Sequence, residues 1–123
     1  MEKKKIMIVE DEGIIALDIK KRLEELGYSV PIVVDSGEEA IEQASKMKLD
    51  LILMDIVLNG EITGVDAAIK IWRFLSIPII YITSFFNEDC LIKNSHFKYN
   101  YDYIIKPFSQ TDLQLKIEHA LVH

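Results

Sequence analysis

The sequence predicts an α/β fold built on a parallel sheet, and three observations carry that prediction. Five short apolar runs, rich in Ile and Val, recur along the 123 residues. They mostly lack polar–apolar alternation, which is how strands covered on both faces read. The stretches between them place apolar residues three and four apart, the spacing of one face of a helix. Strand and helix thus alternate five times, and such units join parallel strands by right-handed crossovers.

The elements follow in order. The first run is "IMIV", residues 6–9. In the helix after it, Ile15, Ile19, Leu23 and Leu26 share a face, with Lys20, Lys21, Glu24 and Glu25 between them. Gly27 then stands where a helix ends in a left-handed residue. The second run is "VPIVV", 30–34, followed by "DSGEEAIEQA", where Ser36 and Glu39 have the spacing of a capping box. "LILM", 51–54, leads to a helix in "GVDAAIKIWRFL", before Pro78. "PIIYI", 78–82, precedes a short, polar and weakly periodic helical segment near 87–96, and Tyr81 reads as core. "YIIK", 103–106, precedes the closing helix "SQTDLQLKIEHALVH", with Leu113, Ile117 and Leu121 on one face. No internal repeat, linker or low-complexity tract interrupts this pattern, so residues 1–123 are expected to form one domain.

Composition limits the function classes. Half the residues are hydrophobic, enough for a sizeable core without crosslinks. The net charge is -6, from 20 acids against 14 bases, which argues against direct nucleic-acid binding and suits a cation or a basic partner surface. Cys90 is the only cysteine, so it is read as a packing residue in a reducing compartment. The run after "MEKKK" stops at four apolar residues, short of the roughly 7 to 15 of a signal core. No stretch approaches the roughly 20 apolar residues of a membrane span. A cytoplasmic protein with no membrane contact is expected. The scattered His96, His119 and His123 have no metal-ligand spacing and are read as surface residues.

In open parallel sheets, ligands sit beyond the carboxyl ends of the strands. Those ends here carry Glu10, Asp11 and Glu12, then Asp35 and Ser36, then Asp55, then Thr83 and Ser84, then Lys106 and Pro107. Glu10, Asp11 and Asp55 form a hard oxygen-donor set suited to Mg2+. A cation there relieves the repulsion of crowded carboxylates. A carboxylate can also serve as a phosphoryl acceptor. Thr83 would donate a hydrogen bond to a phosphoryl oxygen, and Lys106 would add a positive charge. Phosphoryl transfer needs mostly positioning and charge compensation, and this set supplies both.

The sequence resembles the receiver domain of two-component response regulators. The resemblance lies in "IMIVEDE", "LDLILMD", "PIIYITS" and "YDYIIKPF", in the family's order and spacing over nearly the whole chain. It implies a flavodoxin-like, doubly wound (βα)5 fold with strand order 2-1-3-4-5. It implies that Asp55 is the phosphoacceptor, that Asp11 is a direct metal ligand and that Glu10 acts mainly through a metal-bound water. The backbone carbonyl of Val57 matches the family's third protein ligand. Thr83 would be the switch hydroxyl, Tyr103 the aromatic whose rotamer follows phosphorylation, and Lys106 the phosphate-contacting cation, with a cis Lys106–Pro107 peptide. The implied partners are a sensor histidine kinase or phosphotransfer domain and a downstream protein or output domain, and a homodimer is also admitted. The signal would pass through the surface of the fourth and fifth helices and the fifth strand. The domain would catalyse its own phosphorylation and dephosphorylation, yet count as a signalling domain rather than a metabolic enzyme. It would stand alone or belong to a longer response regulator or hybrid kinase.

Two stretches depart from the family pattern. In "DIVLNGEITG", Asn59 replaces the usual proline four residues after Asp55, and Gly64 lies nine residues on, so the loop is one residue longer. Gly60 is expected to turn it with positive φ. "HFKYNYD", 96–102, is bulkier than the family's small-residue turn. Val57 and Phe85 stand where the family controls water access to the phosphoryl group, and neither can activate water. Slow self-dephosphorylation is therefore expected. Plainer roles are assigned to Glu12 as a first-turn helix acid and to Asp35 and Ser36 as caps. A phosphatase of the haloacid dehalogenase type would need a second Asp where Val57 stands. A flavodoxin-like cofactor binder would need a phosphate-cradling loop in place of "EDEG". A degenerate receiver scaffold would have lost an acid, the Thr or the Lys, and none is lost.

Overall fold

The fold is taken from a computed structural model that describes residues 2–84 and 101–122. The expected helix near 87–96, the "HFKYNYD" stretch up to 100, and the readings of Phe85, Cys90, His96 and His123 lie outside the described residues. The strands are β1 (Lys5–Val9), β2 (Ser29–Val34), β3 (Leu51–Asp55), β4 (Ile79–Thr83) and β5 (Tyr101–Ile105). The described helices are α1 (Gly13–Glu25), α2 (Gly37–Lys46), α3 (Gly64–Trp72) and the C-terminal α4 (Gln110–Val122). All neighbouring strands pair in parallel, in the order β2-β1-β3-β4-β5. The expected α/β class and strand order are both observed.

Strand residues alternate between faces, and here both faces are apolar. Met7, Val9, Ile52, Met54, Ile79 and Tyr81 pack on one side against Ala40 and Ala44 of α2 and Val65, Ala68 and Ile71 of α3. Ile6, Ile8, Leu51, Leu53, Ile80 and Ile82 pack on the other against Ala16, Ile19 and Leu23 of α1 and Leu113 and Ile117 of α4. Burial on both faces explains the unbroken apolar runs. β2 differs because it is an edge strand. Val30 and Val34 are buried, whereas Pro31 and Val33 face outward. A proline lacking an N–H donor is tolerated at an edge.

The helix ends refine the expectations. Gly27 follows the α1 cap residue Leu26 with φ +95°, and its N–H donates to the Glu24 carbonyl at 3.0 Å. Ser36 caps α2 by accepting the Glu39 N–H at 3.2 Å. The expected capping box is half-made, because the Glu39 carboxylate instead accepts from Gln43 Nε2 at 2.9 Å. Glu12 occupies the cap position of α1 rather than its first turn and makes no side-chain cap hydrogen bond. A complete box, unanticipated from the sequence, joins Thr63 and Asp66 at the start of α3. No helix among the described residues is long and apolar enough to cross a membrane.

Candidate functional site

The sheet delivers the site residues to one rim. Glu10 follows β1, and its N–H donates to the Val34 carbonyl at 3.0 Å, which extends the sheet beyond Val9. Asp55 and Thr83 are the last residues of β3 and β4. Lys106 follows β5, and its N–H donates to the Thr83 carbonyl at 2.7 Å. The Lys106–Pro107 peptide is cis. Parallel, in-register pairing therefore fixes four chemistry-bearing residues on one edge. Glu10, Asp55 and Thr83 are the polar residues buried there, only 2%, 6% and 5% exposed.

Lys106 ties the acids together. Its Nζ donates to Glu10 Oε2 at 3.2 Å and to Asp55 Oδ2 at 3.3 Å. The other Asp55 oxygen, Oδ1, accepts the Val57 N–H at 3.0 Å. Glu10 Oε1 accepts the Glu12 N–H at 3.3 Å. Asp11 is half-buried, and its Oδ2 accepts the Asn59 N–H at 3.0 Å. Glu10, Asp11 and Asp55 each present a carboxylate oxygen within 4.8 Å of the others.

The electrostatics of this cluster are unbalanced. Burial pushes the Glu10 carboxyl up to about 7, and the adjacent Asp55 carboxylate adds to the rise through a hydrogen bond and its charge. Lys106 opposes that rise without cancelling it. For Lys106 itself, burial favours the neutral amine, but the charges of Asp55 and Glu10 and their hydrogen bonds outweigh burial, so its pKa is raised and it stays cationic. Three acids around one ammonium leave negative charge in excess. A hard divalent cation fits both the charge and the all-oxygen donor set, so the cluster could bind a metal.

The lengthened loop takes a defined path. Gly60 has φ +104°, the expected positive value. Gly64 packs so tightly on the Asp55 carbonyl that a Cβ there would overlap it. The Gly64 N–H also donates to the Ile56 carbonyl at 2.9 Å. Val57 stands beside Asp55 and is 68% exposed. On β5, Tyr103 is half-buried, packs against the cluster on the α2–α3 side and lies opposite Tyr81. The Lys116 ammonium sits 5.3 Å from its ring centre.

The seven residues expected to form the metal, phosphoacceptor and switch site are all described. Glu10, Asp11, Asp55, Val57, Thr83 and Lys106 meet at the rim, while Tyr103 lies three residues back along β5. The roles of Asn59 and Glu38 were not legible. Asn59 reaches the site through its backbone, which no side-chain pattern announces. Glu38 accepts the Glu61 N–H at 3.0 Å, a contact that depends on the loop path.

Comparison with known proteins gives the same assignment. The family model described as "Response regulator receiver domain" matches residues 6–118. The chain is 35% identical over 118 residues to the transcriptional regulatory protein PdtaR of Mycobacterium tuberculosis, covering 96% of this chain and 57% of that one. It is 36% identical over 122 residues to the transcriptional regulatory protein YvrH of Bacillus subtilis, covering 98% and 50%. It therefore spans about half the length of these relatives. The receiver domain of a sensor histidine kinase from Pseudomonas aeruginosa superimposes with a TM-score of 0.86 at 28% identity, covering 99% and 100% of the two chains. That structure has a magnesium ion coordinated in the active-site cleft. With the family's fold, its rim of acids, threonine and lysine, and a family match across 6–118, the chain belongs to the response regulator receiver domains.

Proposed function

We propose that this domain accepts a phosphoryl group on Asp55 from a histidine-kinase or phosphotransfer partner, with Mg2+ held by Glu10, Asp11, Asp55 and the Val57 carbonyl. The single observation that carries the reading is the placement of Lys106, with its ammonium shared between Glu10 and Asp55 at 3.2 and 3.3 Å. When bound, the cation supplies charge neutralisation to the carboxylates and to the incoming phosphoryl oxygens.

The chain's own residues do the rest. The Val57 N–H and Lys106 hold the Asp55 carboxylate in one orientation. An Asp55 oxygen attacks phosphorus, the phosphorus–nitrogen bond of the donor breaks, and the imidazole leaves with the bonding electrons. The product is an acyl phosphate. Lys106 shifts from the Asp55 carboxylate to the phosphoryl oxygens, and Thr83 donates its hydroxyl to another. Asp11 and Glu10 would hold the cation whose charge offsets the repulsion between the carboxylates and the phosphoryl oxygens. Hydrolysis of the acyl phosphate returns the carboxylate, so the domain resets as a signalling switch and makes no metabolic product.

Thr83 and Tyr103 read the modified state. Their movement shifts an existing equilibrium and alters the surface formed by β5 and α4. The downstream protein, an output domain or a second copy docks there. Nothing in the site favours the haloacid dehalogenase alternative, since Val57 occupies its second acid position.

Titration with beryllofluoride and Mg2+, followed by NMR at Thr83 and Tyr103, tests the reading. Wild type shifts at both positions and Asp55→Asn shifts at neither. Equal responses of the two proteins would reject Asp55 as the acceptor.

A further inference from the structure

We infer that Glu38 of α2 is a positioning residue for the cation site, acting through the lengthened loop after Asp55. The inference rests on the reading above. Carboxylates hold this loop at three points. Val57 N–H donates to Asp55 Oδ1 at 3.0 Å, Asn59 N–H to Asp11 Oδ2 at 3.0 Å, and Glu61 N–H to Glu38 Oε2 at 3.0 Å. The first two carboxylates belong to the acidic cluster. Glu38 does not, and its carboxylate instead accepts from the loop backbone at Glu61.

Its grip on the loop is close. Gly60 turns with φ +104°, and a Cβ there would lie 2.8 Å from Glu38 Oε1. The loop backbone also meets α2 at an isolated bridge between Ser36 and Asn59. Ile62 packs so closely on Gly37 that a Cβ at Gly37 would sit 2.9 Å from it. The start of α2 is therefore a platform on which residues 59–62 rest. The Glu61 N–H and the Glu38 N–H hold the Glu38 carboxyl below its ordinary value, so it remains an acceptor at neutral pH.

A glycine-containing loop one residue longer than usual has more conformations to lose when its backbone faces an ion. Glu38 removes part of that freedom in advance. Apparent affinity is reduced by the fraction of molecules not already in the competent arrangement, so releasing this contact weakens cation binding without removing a ligand.

Mg2+ is titrated into wild type, Glu38→Ala and Glu38→Gln without any phosphoryl donor. Calorimetry gives affinity, and NMR reports the Asn59 and Glu61 amides. Glu38→Ala binds Mg2+ roughly two- to tenfold more weakly, the worth of one exposed hydrogen bond. Glu38→Gln keeps an acceptor oxygen and stays within about twofold of wild type. Thermal melts check that all three proteins are folded during the titration. Unchanged affinity in Glu38→Ala overturns the inference. Equal weakening in both variants also overturns it, because the lost charge and not the lost acceptor would then be responsible. If wild type binds Mg2+ and takes phosphoryl from acetyl phosphate while Glu38→Ala matches it, only this inference falls. If wild type does neither, the proposed phosphoacceptor function falls with it.

Discussion

Glu10→Gln in metal-free protein is the sharpest probe of the site's electrostatics. The Glu10 carboxyl is 2% exposed and lies beside Asp55, and its pKa rises from 4.5 to about 7. A folded-state pKa above the unfolded value means that the folded protein holds the proton more tightly. The associated stability is fully present below pH 4.5 and is lost as pH rises through about 7. A shift of that size corresponds to about 3 kcal/mol. Urea denaturation in EDTA at pH 5 and pH 8 measures it. Other groups titrate over the same range, so the quantity of interest is the difference between wild type and Glu10→Gln. The glutamine keeps an acceptor for Lys106 and cannot ionise. The variant gains up to about 3 kcal/mol on wild type between the two pH values. Saturating Mg2+ reverses the order at pH 8, because wild type alone keeps the full acid set. A wild-type-minus-variant difference that stays constant with pH refutes the assigned burial and crowding.

Lys106→Met removes the ammonium that holds Glu10 and Asp55 together and costs metal-free protein at pH 8 about 2 kcal/mol, below the figure for a fully buried pair because Lys106 keeps 18% of its side-chain surface. Mg2+ restores more stability to this variant than to wild type, and denaturation with and without the ion checks both claims. Gly64→Ala forces a Cβ into the Asp55 carbonyl, costs about 2 kcal/mol, and is expected to slow phosphoryl uptake by moving the end of β3. Retained stability and rate would show that the loop yields freely. Val57→Asn places a hydrogen-bonding side chain at an exposed position beside Asp55 and speeds phosphate loss about fivefold, a factor worth one hydrogen bond. An unchanged lifetime of the acyl phosphate would remove Val57 from the control of water.

The strands were legible because the sheet is covered on both faces, so runs such as "IMIV" and "LILM" needed no partner to be recognised. β5 was less so. Its run was read from Tyr103, whereas pairing with β4 begins at Tyr101, and a polar Asp102 in the strand hides that start. β2 was read as covered on both sides, yet edge position is a property of topology rather than of local composition. Asp55, Thr83 and Lys106 were legible because each ends or follows an apolar run, which places unlike groups on one rim. The raised pKa of Glu10 was not, since it depends on burial and on how close Asp55 lies. The same holds for the Glu38 contact, which exists only along the path taken by residues 59–62. Glu39 shows the converse, where capping-box spacing is present but a nearby Gln43 captures the carboxylate.

The central claim is that this rim carries a phosphoryl group on one named aspartate. Intact-mass spectrometry of wild type and Asp55→Asn after exposure to acetyl phosphate and Mg2+, with the modified residue located after borohydride trapping, tests it most directly. The account predicts one phosphoryl group on wild type, mapped to Asp55, and none on the variant or on wild type kept in EDTA. Modification at another residue, or equal uptake by Asp55→Asn, would contradict it.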